Sequence, residues 1–159
     1  MTPHPDFEAV EVPTSLTLGA YHLNILTGAD VEVDFEAVTR SRSVLQGLFE
    51  PTWPEGLTLE DNLTDLHWHH REFTARRSFA WVIRDASGTY LGCAYLFPDI
   101  GARGAGEAAY WMVDTPDRLA HLAVFGPLYE TWLKDLLPPP YALSLINNGS
   151  IERRSKTLS

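Results

Sequence analysis

The stretch "SFAWVIRDASGTYLGCAYLFPD", residues 78–99, decides the fold of this chain. Two apolar runs rich in aromatic residues flank the turn formers Asp85-Ala86-Ser87-Gly88. Strand-like runs on either side of such a turn are the sequence signal of a β-hairpin. We therefore predict two antiparallel strands, Phe79–Arg84 and Tyr90–Phe97, as the central hairpin of a sheet.

Upstream of this hairpin, the spacing of apolar residues predicts one strand and two helices. The strand covers residues 21–26, and a helical stripe follows over residues 31–49. The second helix opens at Thr58, because Asp61 three residues later completes a capping box, and it continues to Phe73.

Downstream of the hairpin, the pattern predicts a strand that ends at Asp114 and a helix over residues 116–136 that Gly126-Pro127 interrupts. A strand over residues 141–146 and a helical tail complete the chain. The order is strand, two helices, three strands, helix, strand, helix. This order predicts an α+β, or mixed α/β, fold with helices packed on one central mixed sheet. We expect a single domain over 1–159, with an extended arm over 1–15.

The glycine-rich segment "DIGARGAGEAAYWMVD", residues 99–114, has the composition of a phosphate-binding loop. Such loops work where a helix begins, because the first backbone N–H groups and the helix dipole point at the anion. Here an apolar, aromatic run follows the glycines, which indicates a strand. We therefore predict a flexible hairpin loop between two strands.

Charge and cysteine content narrow the classes of partner and environment. A formal net charge of −9 argues against nucleic-acid binding and mildly favours a cationic substrate. The single cysteine, Cys93, can form no disulfide framework, which indicates a reducing, cytoplasmic environment. No apolar run is long enough to span a membrane, so we expect no membrane partner.

Four segments, taken in order, resemble the GNAT superfamily of N-acetyltransferases, especially the branch that acetylates ribosomal proteins, other protein N-termini and small amines. They are "WPEGLTLEDNLTDL", the central hairpin, "GEAAYWMVD" and Asn147-Asn148-Gly149-Ser150. The resemblance implies a GNAT-like mixed sheet, here without the family's last two strands, and direct attack of an amine on acetyl-CoA. An open sheet edge of that kind invites pairing, so a homodimer is among our expectations.

The resemblance also implies roles for particular residues. Glu107 stands where some members carry a general base, although a solvated glutamate that closes a hairpin explains it equally well. Trp111, Met112 and Val113 would bind pantetheine through their backbone groups. Asn147 would contact the pantetheine arm and Ser150 would contact CoA, unless both simply cap the last helix.

One departure from the family concerns the pyrophosphate. The family's glycine loop should precede the third helix, but this chain has "DTPDRLAHL", residues 114–122, without a glycine. Asp114 and Asp117 would repel a pyrophosphate, and only Arg118 and His121 offer cationic or polar contacts. We therefore expect acetyl-CoA to bind weakly as co-substrate.

The run "HWHH", His67–His70, raises the question of a metal site. The apolar stripe Leu59, Leu63, Leu66 and Phe73 places His70 in the middle of the apolar face and His67 on its flank. The side chains do not converge on one ion, so we expect no metal. His67 or His70 would contact the amine substrate, or serve as a half-buried structural histidine.

Three hypotheses about function remain open from the sequence. The first is an acetyl-CoA-dependent N-acetyltransferase that acts on a small amine or a peptide amine. The second is a catalytically degenerate GNAT-like protein with weak or no CoA binding and an interaction or regulatory role. The third is an unrelated α+β ligand-binding domain.

Overall fold

Seven strands of this chain form one mixed sheet in the computed structural model, which describes residues 2–159. The strands are β1 Ser15–Leu18, β2 Tyr21–Ile25, β3 Phe79–Arg84, β4 Tyr90–Pro98, β5 Ala105–Met112, β6 Tyr141–Asn147 and β7 Ser150–Leu158. They lie side by side in chain order. All neighbouring pairs are antiparallel except β5 and β6, which are parallel because α4 crosses between them.

The helices are α1 Val31–Arg40, α2 Arg42–Leu45, α3 Leu59–Thr74 and α4 Arg118–Leu136. Residues Ala37, Val38, Leu45 and Leu66 pack α1–α3 against one face of the sheet. Residues Phe125, Tyr129 and Leu133 pack α4 against the other face. These two layers confirm the predicted mixed α/β architecture.

The central hairpin has the predicted strands, and the turn between them is held by Asp85. Its carboxylate accepts hydrogen bonds from the backbone N–H groups of Ser87 and Thr89 at 2.9 and 3.0 Å. The glycine-rich segment forms the loop between antiparallel β4 and β5. Gly101 and Gly104 have φ of +79° and +71°, a backbone conformation that glycine adopts without strain.

Four local predictions from the sequence are wrong. β1 lies just after the arm and pairs with β2, although the sequence analysis placed no strand there. The helical stripe over 31–49 ends at Arg40 and is followed only by the short α2. Gly126-Pro127 was expected to give a kink or two pieces, and α4 is one helix through Pro127 rather than two pieces. Gly126 lies against the hydroxyl of Tyr110, where a Cβ would be 2.4 Å from the oxygen.

The fourth error is the helical tail, which is strand β7. It pairs with β6 from Asn147↔Ser150 to Tyr141↔Leu158, so backbone hydrogen bonds rather than an apolar face define it. One strand therefore follows the predicted last strand, where the sequence analysis expected none. The arm is not fully extended either, because Pro5–Phe7 forms a 3₁₀ turn and Phe7 is buried against Phe79.

The parallel pairing of β5 and β6 stops before β5 does. The last pair is Tyr110↔Asn147, after which the chain turns at Asn148-Gly149 into β7. Met112, the last residue of β5, therefore has no β6 backbone opposite it. This end of β5 is the position that the resemblance assigns to pantetheine.

Candidate active site

A cavity of about 590 Å³ opens on the α1–α3 face of the sheet, between α1, α3, the segment 49–57 and the end of β4. We call it the acidic cleft. Its aromatic wall is built from Phe49, Trp53, Trp68, Tyr95 and Phe97. Phe49 packs edge-on against both Trp53 and Tyr95, with ring centroids 4.8 and 4.9 Å apart. This wall can enclose an organic group and can present aromatic faces to a cation.

Five carboxyl groups also line the acidic cleft: Asp34, Glu50, Glu55, Asp61 and Asp65. Neither lysine nor arginine is among the residues that line it within 2–159. Burial raises the pKa of Asp65, and the neighbouring charges of Asp61, Glu50 and Asp34 raise it further. The cleft therefore has a negative potential that favours a cationic ligand.

Asp34 forms the floor of the cleft and is held in a buried polar cluster. Its carboxylate accepts hydrogen bonds from Asn62 Nδ2 at 2.8 Å and from the Tyr90 hydroxyl, and the Cys93 thiol lies 3.6 Å away. Burial raises the pKa of Asp34, and these hydrogen bonds offset part of that effect. Burial likewise raises the pKa of the Cys93 thiol well above its ordinary value, so the thiol stays protonated.

His69, rather than His67 or His70, faces the acidic cleft. The buried face of α3 carries Asn62, Leu66, His69 and Phe73. The His69 ring stacks on Tyr95 with centroids 5.5 Å apart. Burial lowers the pKa of His69 to about 4, so its imidazole is neutral at physiological pH.

The two histidines that the sequence analysis proposed as substrate contacts lie on the outer side of α3. Both are exposed, so the placement of His70 in the middle of the apolar face is wrong. They line a shallow surface depression together with Arg71 and Thr74. His67 also covers Gly28, where a Cβ would lie 2.5 Å from its ring.

Glu107 lies next to the acidic cleft. It is paired with Phe97 across β4 and β5, and directly opposed residues of antiparallel strands project on the same face. Its carboxylate accepts a hydrogen bond from Arg153 Nε at 2.8 Å and a longer one from Nη2 at 3.5 Å. Both partners are partly exposed, so this ion pair from β7 is solvent-screened.

Met112, at the end of β5, forms hydrogen bonds through both its backbone N–H and its carbonyl with the side chain of Asn148. Its N–H donates to Asn148 Oδ1 at 3.0 Å, and its carbonyl accepts from Asn148 Nδ2 at 2.9 Å. Asn148 is only 3% exposed. The side-chain amide thus takes the place of the next β6 residue in the ladder.

The neighbouring backbone groups of β5 are directed to β4. The Val113 N–H donates to the Leu91 carbonyl at 2.7 Å. Trp111 is fully buried, and its indole N–H donates to the Tyr95 hydroxyl at 2.9 Å. Of the three residues proposed for pantetheine, Met112 is the one with backbone groups directed away from β4, and Asn148 engages both.

Three of the four polar residues proposed to bind the cofactor form hydrogen bonds with other residues of the protein. Arg118 donates to the Asn148 carbonyl and lies 4.0 Å from Asp114. The ring of His121 is hydrogen-bonded to the Tyr21 hydroxyl at 2.9 Å. Asn147 accepts from the Gly149 N–H at 2.7 Å and donates to Tyr110. Ser150 begins β7 and is exposed.

This end of the sheet therefore does not fit CoA in the conformation described. Asn148 engages both backbone groups of Met112, one of the residues that the resemblance assigns to pantetheine, and the segment 114–117 before α4 contains two aspartates and no glycine. A helix start with that composition offers little to a pyrophosphate, because the carboxylates oppose the helix dipole's attraction for anions.

Residues 2–159 contain no cluster of three or more histidine, cysteine or acidic side chains arranged to hold a metal ion. None of the helices in this range has both the length and the apolarity that crossing a bilayer requires.

Several solved structures of N-acetyltransferases are similar to this one. The ribosomal L7/L12 α-N-protein acetyltransferase RimL, in complex with coenzyme A, has a TM-score of 0.67 at 11% identity, over 82% of this chain and 73% of that one. The ribosomal-protein-S5-alanine acetyltransferase from Vibrio fischeri has a TM-score of 0.59 at 14% identity, over 84% and 73%.

A third similar structure is the spermidine N-acetyltransferase from Vibrio cholerae in complex with CoA and spermine. It has a TM-score of 0.54 at 14% identity, over 79% of this chain and 70% of that one. By sequence, the chain matches no protein-family model and no curated protein. The structural matches show that the chain has the GNAT fold of these acetyltransferases, as the sequence resemblance implied.

Sequence reasoning missed Asp34, His69 and Asn148. Asp34 and its partners Asn62 and Tyr90 are 28 and 56 residues apart in sequence, so no local pattern connects them. Asn148 was part of the quoted Asn147–Ser150 motif, but its role depends on where β6 ends relative to β5. An aspartate on the predicted inner face of a helix was the one available signal for the buried cluster.

Proposed function

We propose that this protein is an N-acetyltransferase whose acceptor is a cationic amine, either a small molecule or a peptide amine, bound in the acidic cleft. The observation that carries this proposal is the combination of five carboxyl groups and an aromatic wall in a cavity of about 590 Å³. Carboxylates attract an ammonium group, and aromatic faces within reach of it add a cation–π contribution. Acetyl-CoA would supply the acetyl group.

Glu107 is the residue we propose as general base. An ammonium group has no free electron pair, so it must lose a proton before its nitrogen can attack an acyl group. Glu107 is paired with Phe97, which lines the acidic cleft, and this proximity supports a role in which its carboxylate accepts that proton directly or through one water. Arg153 holds the carboxylate at the rim of the cleft in the absence of an amine.

His69 and Asp34 would position the amine rather than take its proton. The pKa of His69, about 4, makes it a weak proton acceptor near neutral pH, but its neutral ring can accept or donate one hydrogen bond. Asp34, in its ionised form, would supply negative charge at the floor of the cleft. Bringing an ammonium group near would favour the ionised form of Asp34 and lower its pKa.

The test is a panel of amines with acetyl-CoA, with release of free CoA thiol as the measured product. We expect diamines, polyamines or peptide N-termini to be acetylated and neutral or acidic acceptors to be inert. Phe49→Ala should weaken acceptor binding, because it removes a ring that packs on both Trp53 and Tyr95. Trp132→Ala, on the opposite face of the sheet, is the matched aromatic control.

One observation favours a second candidate, a protein that binds cationic amines without transferring an acetyl group. It is the contact between Asn148 and Met112, together with the poor fit of residues 114–117 to a pyrophosphate. Calorimetry separates the two candidates. Amine binding with no thiol release at millimolar acetyl-CoA would establish the binding protein and exclude the enzyme.

A further inference from the structure

Three buried side-chain atoms within residues 2–159 have no hydrogen-bond partner: His69 Nδ1, Glu72 Oε2 and Ser78 Oγ. Native proteins leave few such atoms unpaired, and each one requires an explanation. His69 lines the acidic cleft. Glu72 and Ser78 line a second cavity of about 400 Å³, which we call the arm pocket. Glu72 is 8% exposed and Ser78 is 7% exposed, so the arm pocket has two unpaired polar groups that are more than nine-tenths buried.

The arm pocket lies between the start of the N-terminal arm, the second half of α3, residues 77–78 and the end of β4. Most of its wall is apolar: Pro3, Pro5, Trp68, Phe97, Pro98 and Ile100. Trp68 is 42% exposed and Ile100 is 86% exposed, so a ligand would cover apolar surface that faces water in the free protein. A mainly apolar cavity of this volume with a few polar groups is typical of small-molecule sites.

The charges around Glu72 favour a neutral ligand. A carboxylate oxygen only accepts hydrogen bonds, so the ligand must donate to it. Arg77 Nε lies 3.7 Å from Glu72 Oε1, too far for a hydrogen bond but close enough to offset the carboxylate charge. A cation at Oε2 would therefore meet the guanidinium, and an anion would meet the carboxylate. Glu8 also lines the arm pocket, but it is exposed and water screens its charge.

The hydroxyl of Ser78 completes the pattern, because it can donate as well as accept. His4 offers nothing further: its Nδ1 accepts from the Asp6 N–H at 3.1 Å, and its Nε2 lies 2.7 Å from the Asp99 carbonyl oxygen. A primary carboxamide carries N–H donors and one carbonyl acceptor. We propose that the arm pocket binds a small neutral carboxamide with an apolar body, whose N–H donates to Glu72 Oε2 and whose carbonyl accepts from Ser78.

The first residues of the arm are the part of the wall that can move to admit this ligand. Arg77 Nη1 donates to the Thr2 carbonyl at 3.3 Å in an exposed contact. Two residues further on, His4 is buried and its N–H donates to the Arg76 carbonyl at 3.0 Å. Movement at Thr2 therefore opens the arm pocket while the rest of the arm stays anchored.

Replacing Glu72 separates a binding role from a structural one. A glutamate that stabilises the fold lowers the melting temperature when it is replaced, whereas an unpaired buried oxygen costs free energy that its removal recovers. Methionine is apolar and similar in length, and the partly exposed Arg77 loses little with its ion pair. Glu72→Met should therefore melt above the wild type. Glu60→Met, the same substitution at an exposed position of α3, is the control and should not.

Benzamide is the probe, because it places a carboxamide on a flat apolar ring. Benzoate and benzylamine carry the same ring with an anion and a cation. In an NMR titration, the methyl resonances of Ile100 report on the arm pocket, since Ile100 lines it and does not line the acidic cleft. Benzamide should shift them saturably and benzoate should not. Glu72→Met should weaken benzamide binding by at least about tenfold and Ser78→Ala by a smaller factor, while Glu60→Met should match the wild type.

These measurements use neither acetyl-CoA nor the acidic cleft, so their outcome is independent of the proposed acetyl transfer. Benzamide that leaves the Ile100 resonances unmoved at millimolar concentration would overturn the proposal. Equal benzamide affinity in wild type and Glu72→Met would also overturn it, as would a Glu72→Met protein that melts below the wild type. If benzylamine rather than benzamide shifts Ile100, and Glu72→Met abolishes that shift, the site takes a cation and the neutral class is wrong.

Discussion

Replacing Asp34 with asparagine tests the charge at the floor of the acidic cleft. Burial raises the pKa of Asp34 above the value of about 3.9 expected for the unfolded chain. Between the unfolded and the folded pKa, the folded state keeps a proton that the unfolded state has released. The stability that this group contributes is therefore fully present below about pH 4 and is lost as the pH rises through the folded pKa.

Asparagine does not titrate, so the variant escapes that loss. The free energy of unfolding of Asp34→Asn, minus that of the wild type, should rise with pH by at most about 1.4 kcal/mol per pH unit and then level off. The asparagine oxygen still accepts from Asn62, and the Tyr90 hydroxyl can turn to accept from the new amide. If one of these hydrogen bonds does not form, the difference in the free energy of unfolding would be lower by about 1 kcal/mol at every pH, and its dependence on pH would not change.

Asp34→Ala is the contrasting variant. It removes the acceptor of the Asn62 amide and leaves the buried Tyr90 hydroxyl with only the Cys93 thiol as a partner, so at pH 4 it should lose about 1–3 kcal/mol for each of the two groups. This deficit relative to the wild type should shrink as the pH rises, because alanine does not titrate either. Urea unfolding from pH 4 to 9 measures all three proteins, with Glu36→Gln on the exposed side of α1 as control. A difference between Asp34→Asn and wild type that stays flat or falls with pH would refute the reasoning.

Four further predictions concern turnover, packing and ligands. Glu107→Gln should lower turnover by about 10²-fold or more near neutral pH, the usual contribution of a positioned base, while thermal stability is retained; unchanged turnover removes Glu107 from the mechanism. Gly92→Ala should cost about 3 kcal/mol in chemical unfolding, because its Cβ would lie 1.8 Å from the Trp111 carbonyl oxygen and push β5 away. A strong chelator should leave the melting temperature unchanged, since a structural metal would couple its binding to folding; a fall that zinc reverses would contradict this. The wild-type protein should bind acetyl-CoA with a Kd of about 10⁻⁴ M or weaker, which corresponds to a binding free energy of about 5.5 kcal/mol or less, as measured by calorimetry.

The central hairpin could be predicted because its signals are local. Both strands are rich in aromatic and other apolar residues, and Asp85 closes the turn through bonds to residues two and four positions away. β7 has no such signal. The segment "SIERRSKTLS" is polar except for Ile151 and Leu158, and it becomes a strand because β6 offers a free edge to pair with.

The identity of the buried face of α3 could not be predicted for a related reason. A hydrophobic stripe through Leu59 and His70 assumes that the buried face is apolar, yet Leu59 is 46% exposed. The buried face instead includes Asn62, because its amide reaches Asp34 on α1. A partner 28 residues away thus rotates the helix relative to its apolar pattern and brings His69 into the cleft in place of His70.

The two halves of the site respond oppositely to the charge of the protein. The carboxylates of the acidic cleft and the net charge of −9 attract an ammonium group, and the same field repels the phosphates of CoA. Salt screens long-range attraction and repulsion alike. Raising the ionic strength should therefore weaken amine binding in the acidic cleft and strengthen any binding of acetyl-CoA, and titrations of both ligands at low and high salt measure the two effects.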